Sequence, residues 1–126
     1  MMNAFSKQVR DAVADLEHCH RTCHDMAMVH CLESGGRHVR PQHLRLMQDC
    51  AALCAFTADA LGRKSQFHIP FALLCADVCD TCAQDCAGLD GMADCVAACR
   101  TCAAACRALG GPDGDIRVQA SRVAPG

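Results

Sequence analysis

The chain has 126 residues, 13 of them Cys, and a formal net charge of −2. That length suits one domain with one core, and no apolar tract is long enough to span a membrane. The near-neutral charge gives no basic excess for nucleic acid, and four Phe with no Trp or Tyr leave little for base stacking.

Leu, Ile, Val and Phe together supply 24 residues, against 22 Ala, 13 Cys and 6 Met. The core must therefore be built largely from Cys, Ala and Met. Such a bundle is expected to be marginal when empty and to gain from whatever binds it. Cysteine at this level usually marks a secreted disulfide scaffold. Here the count is odd, and Met1 to Glu17 mixes charged with apolar residues rather than presenting a leader's apolar stretch. The expected setting is a reduced, cytoplasmic one, in which clustered cysteines serve as metal ligands or catalytic groups.

Breakers divide the chain into four helices, about 4–33, 41–63, 70–88 and 91–109, within a bundle unit 1–111, followed by a tail 112–126. Ser34-Gly35-Gly36 ends the first helix and Pro41 sits in the first turn of the second. Gly62 to Ser65 ends the second, Pro70 opens the third, Gly88-Leu89-Asp90-Gly91 turns it, and Gly110-Gly111-Pro112 closes the fourth. No run alternates as a strand would. Short connections make neighbours antiparallel, so the fold class is all-α, an up-down-up-down four-helix bundle with a cysteine-lined core.

Heptad steps give one seam per helix. The first reads Phe5, Val9, Ala12, Leu16, Cys19, Cys23, Met26, His30, and the second His43, Met47, Cys50, Cys54, Thr57, Leu61. The third reads His68, Ala72, Cys75, Cys79, Cys82, Cys86, Leu89, and the fourth Met92, Cys95, Cys99, Cys102, Cys106, Leu109. Twelve of the 13 cysteines fall on these seams, and Cys31 lies one place off, next to His30. The third and fourth helices carry the same 4, 3, 4 cysteine step. Thiols thus stand where a bundle normally has Leu.

The topology predicts a tube. Met26, His30, Cys31, His43, Met47 and Met92 gather at one end as a Met/His mouth. Phe5, Val9, Leu61, Phe67 and Leu109 plug the other, with the thiol column between. Soft thiolates select soft metals, Cu(I) foremost. One Cu(I) per thiolate brings a crowded column near neutrality, whereas Zn(II) in a separate four-thiolate site leaves it doubly negative. Met26, Met47 and Met92 read first as core filler and second as entry ligands; His30 and His43 read evenly as transient ligands and as packed side chains. His18, His20, His24 and His38 are assigned to solvated faces or loops, and Asp77, Asp80 and Asp85 to an exposed face.

On His18-Cys19-His20-Arg21-Thr22-Cys23, His30-Cys31-Leu32-Glu33-Ser34-Gly35-Gly36, His43-Leu44-Arg45-Leu46-Met47-Gln48-Asp49-Cys50 with Cys54, and the doubled cysteine pattern, the chain resembles the copper storage protein family from Leu16 to Leu109. The resemblance implies a bundle filled with Cu(I), commonly a homotetramer, that stores copper and catalyses nothing. It implies Cys19, Cys23, Cys31, Cys50, Cys54, Cys75, Cys79, Cys82, Cys86, Cys95, Cys99, Cys102 and Cys106 as the ligands. Richer cytosolic members carry more cysteines along the first two helices. Ala12, Leu16, Met26 and Thr57 hold seam positions that could have held sulfur, so a lower capacity is expected. Copper donor or acceptor proteins would be the partners. The rivals are a Zn(II) or other thiophilic-metal buffer and a thiol–disulfide redox protein. No nucleophile, base and orienter come together outside the thiols, so no enzyme is expected.

Overall fold

In a computed structural model, residues 6–110 are described; Phe5 of the expected plug and the tail from Pro112 lie outside them. Helix α1 (Lys7–Asp25) starts on Ser6, whose hydroxyl accepts the Val9 N–H at 3.2 Å, a cap worth about 1 kcal/mol. It runs on through a π-helical segment, Met26–Cys31, into a last α turn, Leu32–Ser34. Gly35 and Gly36, at φ 68° and 53°, then reverse the chain into a short 3₁₀ turn, Gly36–Val39. Helix α2 (Pro41–Gly62) begins on Pro41, which has no N–H to leave unpaired. Helices α3 (His68–Cys86) and α4 (Ala93–Gly110) complete the bundle. The third starts two residues before Pro70, which is tolerated because a first-turn residue has no intrahelical acceptor for an N–H.

The helices stand in a square. α1 packs on α2 and α4, and α3 packs on the same two. No strand occurs among the described residues. Ala27, Ala51, Ala76, Ala83, Ala98 and Ala103 are buried beside the seam cysteines. Small side chains at those positions let the helix axes approach closely, which brings the sulfurs of all four seams into contact.

Two seam expectations need correction. Along α1 the buried positions are Ala12, Leu16, Cys19, Cys23, then Ala27 and Cys31, not Met26 and His30. A π turn closes its hydrogen bond one residue later than an α turn, so it absorbs an extra residue and rotates the rest of the helix by one place. That rotation carries Cys31 into the core. At the closed end, Phe67 is 42% exposed and packs against Phe71 on the surface, with ring centroids 6.1 Å apart. Ala12, Leu16, Leu61 and Ala72 fill the interior there instead, with Val9 and Leu109 partly buried around them.

Candidate metal centre

All 13 cysteines carry free thiols and are fully buried. Eight of the sulfurs, drawn from all four helices, form a connected column. Cys23 from α1 meets Cys99 from α4 at 3.5 Å and Cys50 from α2 at 4.0 Å, and Cys50 and Cys99 are 3.8 Å apart. Cys50 also reaches Cys79 of α3 at 3.7 Å. Further down, Cys54 sits 3.5 Å from Cys79, 3.7 Å from Cys75 and 3.8 Å from Cys102. Within helices, Cys19/Cys23, Cys75/Cys79 and Cys82/Cys86 are each 3.9 Å apart, as the one-turn spacing requires.

Three four-sulfur groups result, in each of which every sulfur lies within 4.8 Å of the others: Cys19, Cys23, Cys50, Cys99; Cys19, Cys50, Cys54, Cys79; and Cys54, Cys75, Cys79, Cys102. They overlap. Cys19 and Cys50 belong to the first two, Cys54 and Cys79 to the last two, so three groups are drawn from eight sulfurs. Three separate tetrahedral sites cannot be filled at once from such a set. A chain of ions bridged by shared thiolates can.

Crowding decides protonation. In Cys50 and Cys99 the hydrogen bond to Cys19, then other thiols and burial, push the thiol up from its ordinary value of 9.0. Cys86 is pushed up to about 12, first by its bond to Cys82 and then by burial. Burial, with the charges of Cys86 and Cys82 behind it, pushes Cys31 up to about 11. Cys19 and Cys75 go the other way, lowered first by the hydrogen bond from Cys102, so the empty column is only partly deprotonated, and a monovalent soft cation that binds at a raised thiol exchanges for its proton.

The mouth differs in chemistry. Cys31 Sγ lies 3.4 Å from His43 Nε2, and 3.8 Å from both Met47 Sδ and Met92 Sδ. All four residues are buried. With the His43 hydrogen on Nδ1, Cys31 is the one proton donor among these atoms and can satisfy one acceptor at a time, so several lone pairs converge on a space a soft cation suits. The other nitrogen of His43, Nδ1, is 2.6 Å from Asp85 Oδ2, and Arg40 stands 3.7 Å from the second carboxylate oxygen.

The remaining candidates fall elsewhere. His30 turns Nε2 to the Asp90 carbonyl at 3.1 Å, where His38 also binds at 2.8 Å; both rings hold the loop that carries Met92. Met26 lines an outer groove between α1 and α4 with Asp15, His18, Thr22, Asp25 and Asp94. His20 is bonded through Nδ1 to the Ala51 carbonyl at 2.8 Å. Asp77 and Asp80 pair with Arg107 on the surface, where such pairs contribute little. Asp85 is the member of that acidic set that the sequence misplaced. Its signal was spacing: Asp85 precedes Cys86, facing the end of α2 that carries His43.

The family described as copper storage protein matches residues 5–111. The chain is 32% identical over 89 residues to the cysteine-rich protein YhjQ of Bacillus subtilis, covering 71% of this chain and 79% of that protein. Among solved structures, the Nmul_A1745 protein from Nitrosospira multiformis superposes with a TM-score of 0.81 at 44% identity, over 82% of this chain and 94% of that one. The Cu(I)-bound copper storage protein BsCsp3 superposes with a TM-score of 0.74 at 30% identity, over 81% of this chain and 97% of that one.

Proposed function

The chain belongs to the copper storage protein family, and from that premise we propose that it stores Cu(I) along its own thiol column, with Cys31, His43, Met47 and Met92 as the entry. It binds many Cu(I) ions per chain, up to about one per thiolate, and its role is storage and buffering rather than turnover. The observation that carries this reading is the overlap of the four-sulfur groups through Cys19, Cys50, Cys54 and Cys79. Sulfur spacings of 3.5–4.0 Å also match the edges of a tetrahedral thiolate site, so distance alone does not choose the metal. Softness and charge favour Cu(I): shared thiolates serve several soft monovalent ions without stranding charge, whereas separate four-thiolate zinc sites would each stay doubly negative and would compete for the same sulfurs.

Thirteen reduced thiols suit a reducing compartment, and we place the protein in the cytoplasm. Among the described residues, no helix is long and apolar enough to cross a membrane. We also assign it a homo-oligomeric state. Phe56, Phe67 and Leu74 stand exposed on α2, α3 and the link between them, with Phe71 edge-on to Phe56 at 4.9 Å, an apolar surface suited to a second copy.

The test is anaerobic titration of the fully reduced protein with Cu(I) against a competing chelator. Uptake of about a dozen ions per chain is expected. Uptake of one or two defeats the storage reading. Zn(II) displacing bound Cu(I) would favour the zinc buffer, and loss of free thiols on mild oxidation with the fold retained would favour the redox protein.

A further inference from the structure

His43 is buried in a core lined, apart from Thr57, by sulfur and hydrocarbon. An imidazole left loose there would present either nitrogen to Cys31. The structure removes that freedom. Its Nδ1 meets the Asp85 carboxylate at 2.6 Å, and an ionised carboxylate only accepts, so Nδ1 carries a hydrogen and, in the neutral ring, Nε2 holds the lone pair. That lone pair is on the atom 3.4 Å from Cys31 Sγ. Asp85 is itself held: its other oxygen faces Arg40 Nη2 at 3.7 Å, and its side chain is 28% exposed. Arg40 stands immediately before the Pro41 that opens α2, so its position is tied to the helix that carries His43 and Met47.

Resting on the storage reading, we propose that Asp85 is a positioning residue for metal entry. Through the Nδ1–H of His43 it turns Nε2 towards Cys31, Met47 and Met92, completing a mixed nitrogen and sulfur site at the mouth, while Arg40 fixes the carboxylate. Carboxylate–histidine pairs of this kind orient metal-binding imidazoles and raise their basicity. The arrangement makes the mouth a distinct station: one nitrogen, one thiol and two thioethers, against thiols alone beyond it. Thioethers hold Cu(I) without a charge, so an ion there stays mobile enough to pass inward to thiolates that hold it through charge as well as softness.

The experiment uses the whole chain, with Asp85→Asn as the size-matched variant and Asp85→Ala beside it. Two readouts are taken. The first is the tautomer of His43 in the copper-free protein from imidazole ¹⁵N shifts. The second is the initial rate of Cu(I) uptake from its bicinchoninate complex, followed to final capacity. The wild type should show the Nδ1–H form. Both variants should lose that preference and load about tenfold or more slowly, with final capacity unchanged, and neither should slow uptake further in a His43→Ala background. An unchanged tautomer, an unchanged rate, or an equal slowing in the His43→Ala background overturns the proposal. A wild type that takes up no copper would defeat the storage reading as well; normal wild-type uptake with unaffected variants defeats this proposal alone.

Discussion

Cys54 of α2 and Cys79 of α3 bring their sulfurs to 3.5 Å, and both belong to the same two four-sulfur groups, so one contact joins two stations of the column. Cys99, by contrast, belongs to one group. Cys79→Ser should therefore remove more Cu(I) capacity than Cys99→Ser, because a hard hydroxyl replaces a soft ligand shared by more ions. Both variants should remain folded, losing about 1–3 kcal/mol where the hydroxyl lacks a full partner. Counting ions per chain beside circular dichroism checks this. Equal losses, or none, would mean that sharing through Cys79 does not set capacity.

Thr57 marks where sulfur gives out along α2. It is completely buried and its hydroxyl has no hydrogen-bond partner, an arrangement that costs about 1–3 kcal/mol. It lies three residues beyond Cys54 on the same face. Thr57→Cys exchanges an orphaned hydroxyl for a thiol that tolerates apolar surroundings. Capacity is expected to rise by about one ion per chain, with Tm unchanged or higher. A gain in Tm with no gain in copper would place the end of the functional column at Cys54.

Raised thiols make the empty protein sensitive to alkali. Cys31 at about 11 and Cys86 at about 12, against 9.0 in the unfolded chain, mean that the fold keeps protons which the unfolded chain releases first. The unfolded state then binds fewer protons, so stability falls as pH rises. This contribution is intact below about pH 9 and is lost as pH climbs through 11 and 12. Thermal melts of the copper-free protein should fall steeply across that window. The loaded protein, its thiol protons already displaced, should show a nearly flat profile. Conversely, copper affinity should weaken towards acid, as protons compete for the same sulfurs.

Much of this is legible in the sequence because the cysteines repeat with helical period. Cys75, Cys79, Cys82 and Cys86 on one helix, and Cys95, Cys99, Cys102 and Cys106 on the next, admit one buried face each, and Gly and Pro cut the chain between them. The misplaced residues are those that depart from that period. The seam through Met26 and His30 assumes an unbroken α-helix; a π turn leaves no composition signal, since it is made by hydrogen bonding rather than by residue type. Cys31, one place off the heptad, is the trace it leaves. Asp85 is hidden for a different reason. Its partner His43 is 42 residues away, and a carboxylate that faces a neighbouring helix reads in sequence as one more exposed acid. Phe67 is misplaced because the connection before α3 carries it outward, and hydrophobicity alone does not tell a core residue from a surface contact.

The π segment also yields a sharp test of why Cys31 lies where it does. Cys31 lies eight positions after Cys23 along the chain, one more than the seven-position step of two α turns, and the segment Met26–Cys31 absorbs the surplus. Val29, 55% exposed within it, contributes little to the core. Removing Val29 leaves seven residues of spacing, so an ordinary α-helix would carry Cys31 to the same seam. The deletion should relax the π turn, keep Tm within about 1 kcal/mol equivalent of stability, and leave the rate of Cu(I) uptake unchanged. Were the segment a plain α-helix instead, the same deletion would turn Cys31 by about 100° away from His43, Met47 and Met92, and uptake would slow as in a mouth variant. Tm and the initial uptake rate of the single-residue deletion therefore decide whether the extra residue is what the π turn accommodates.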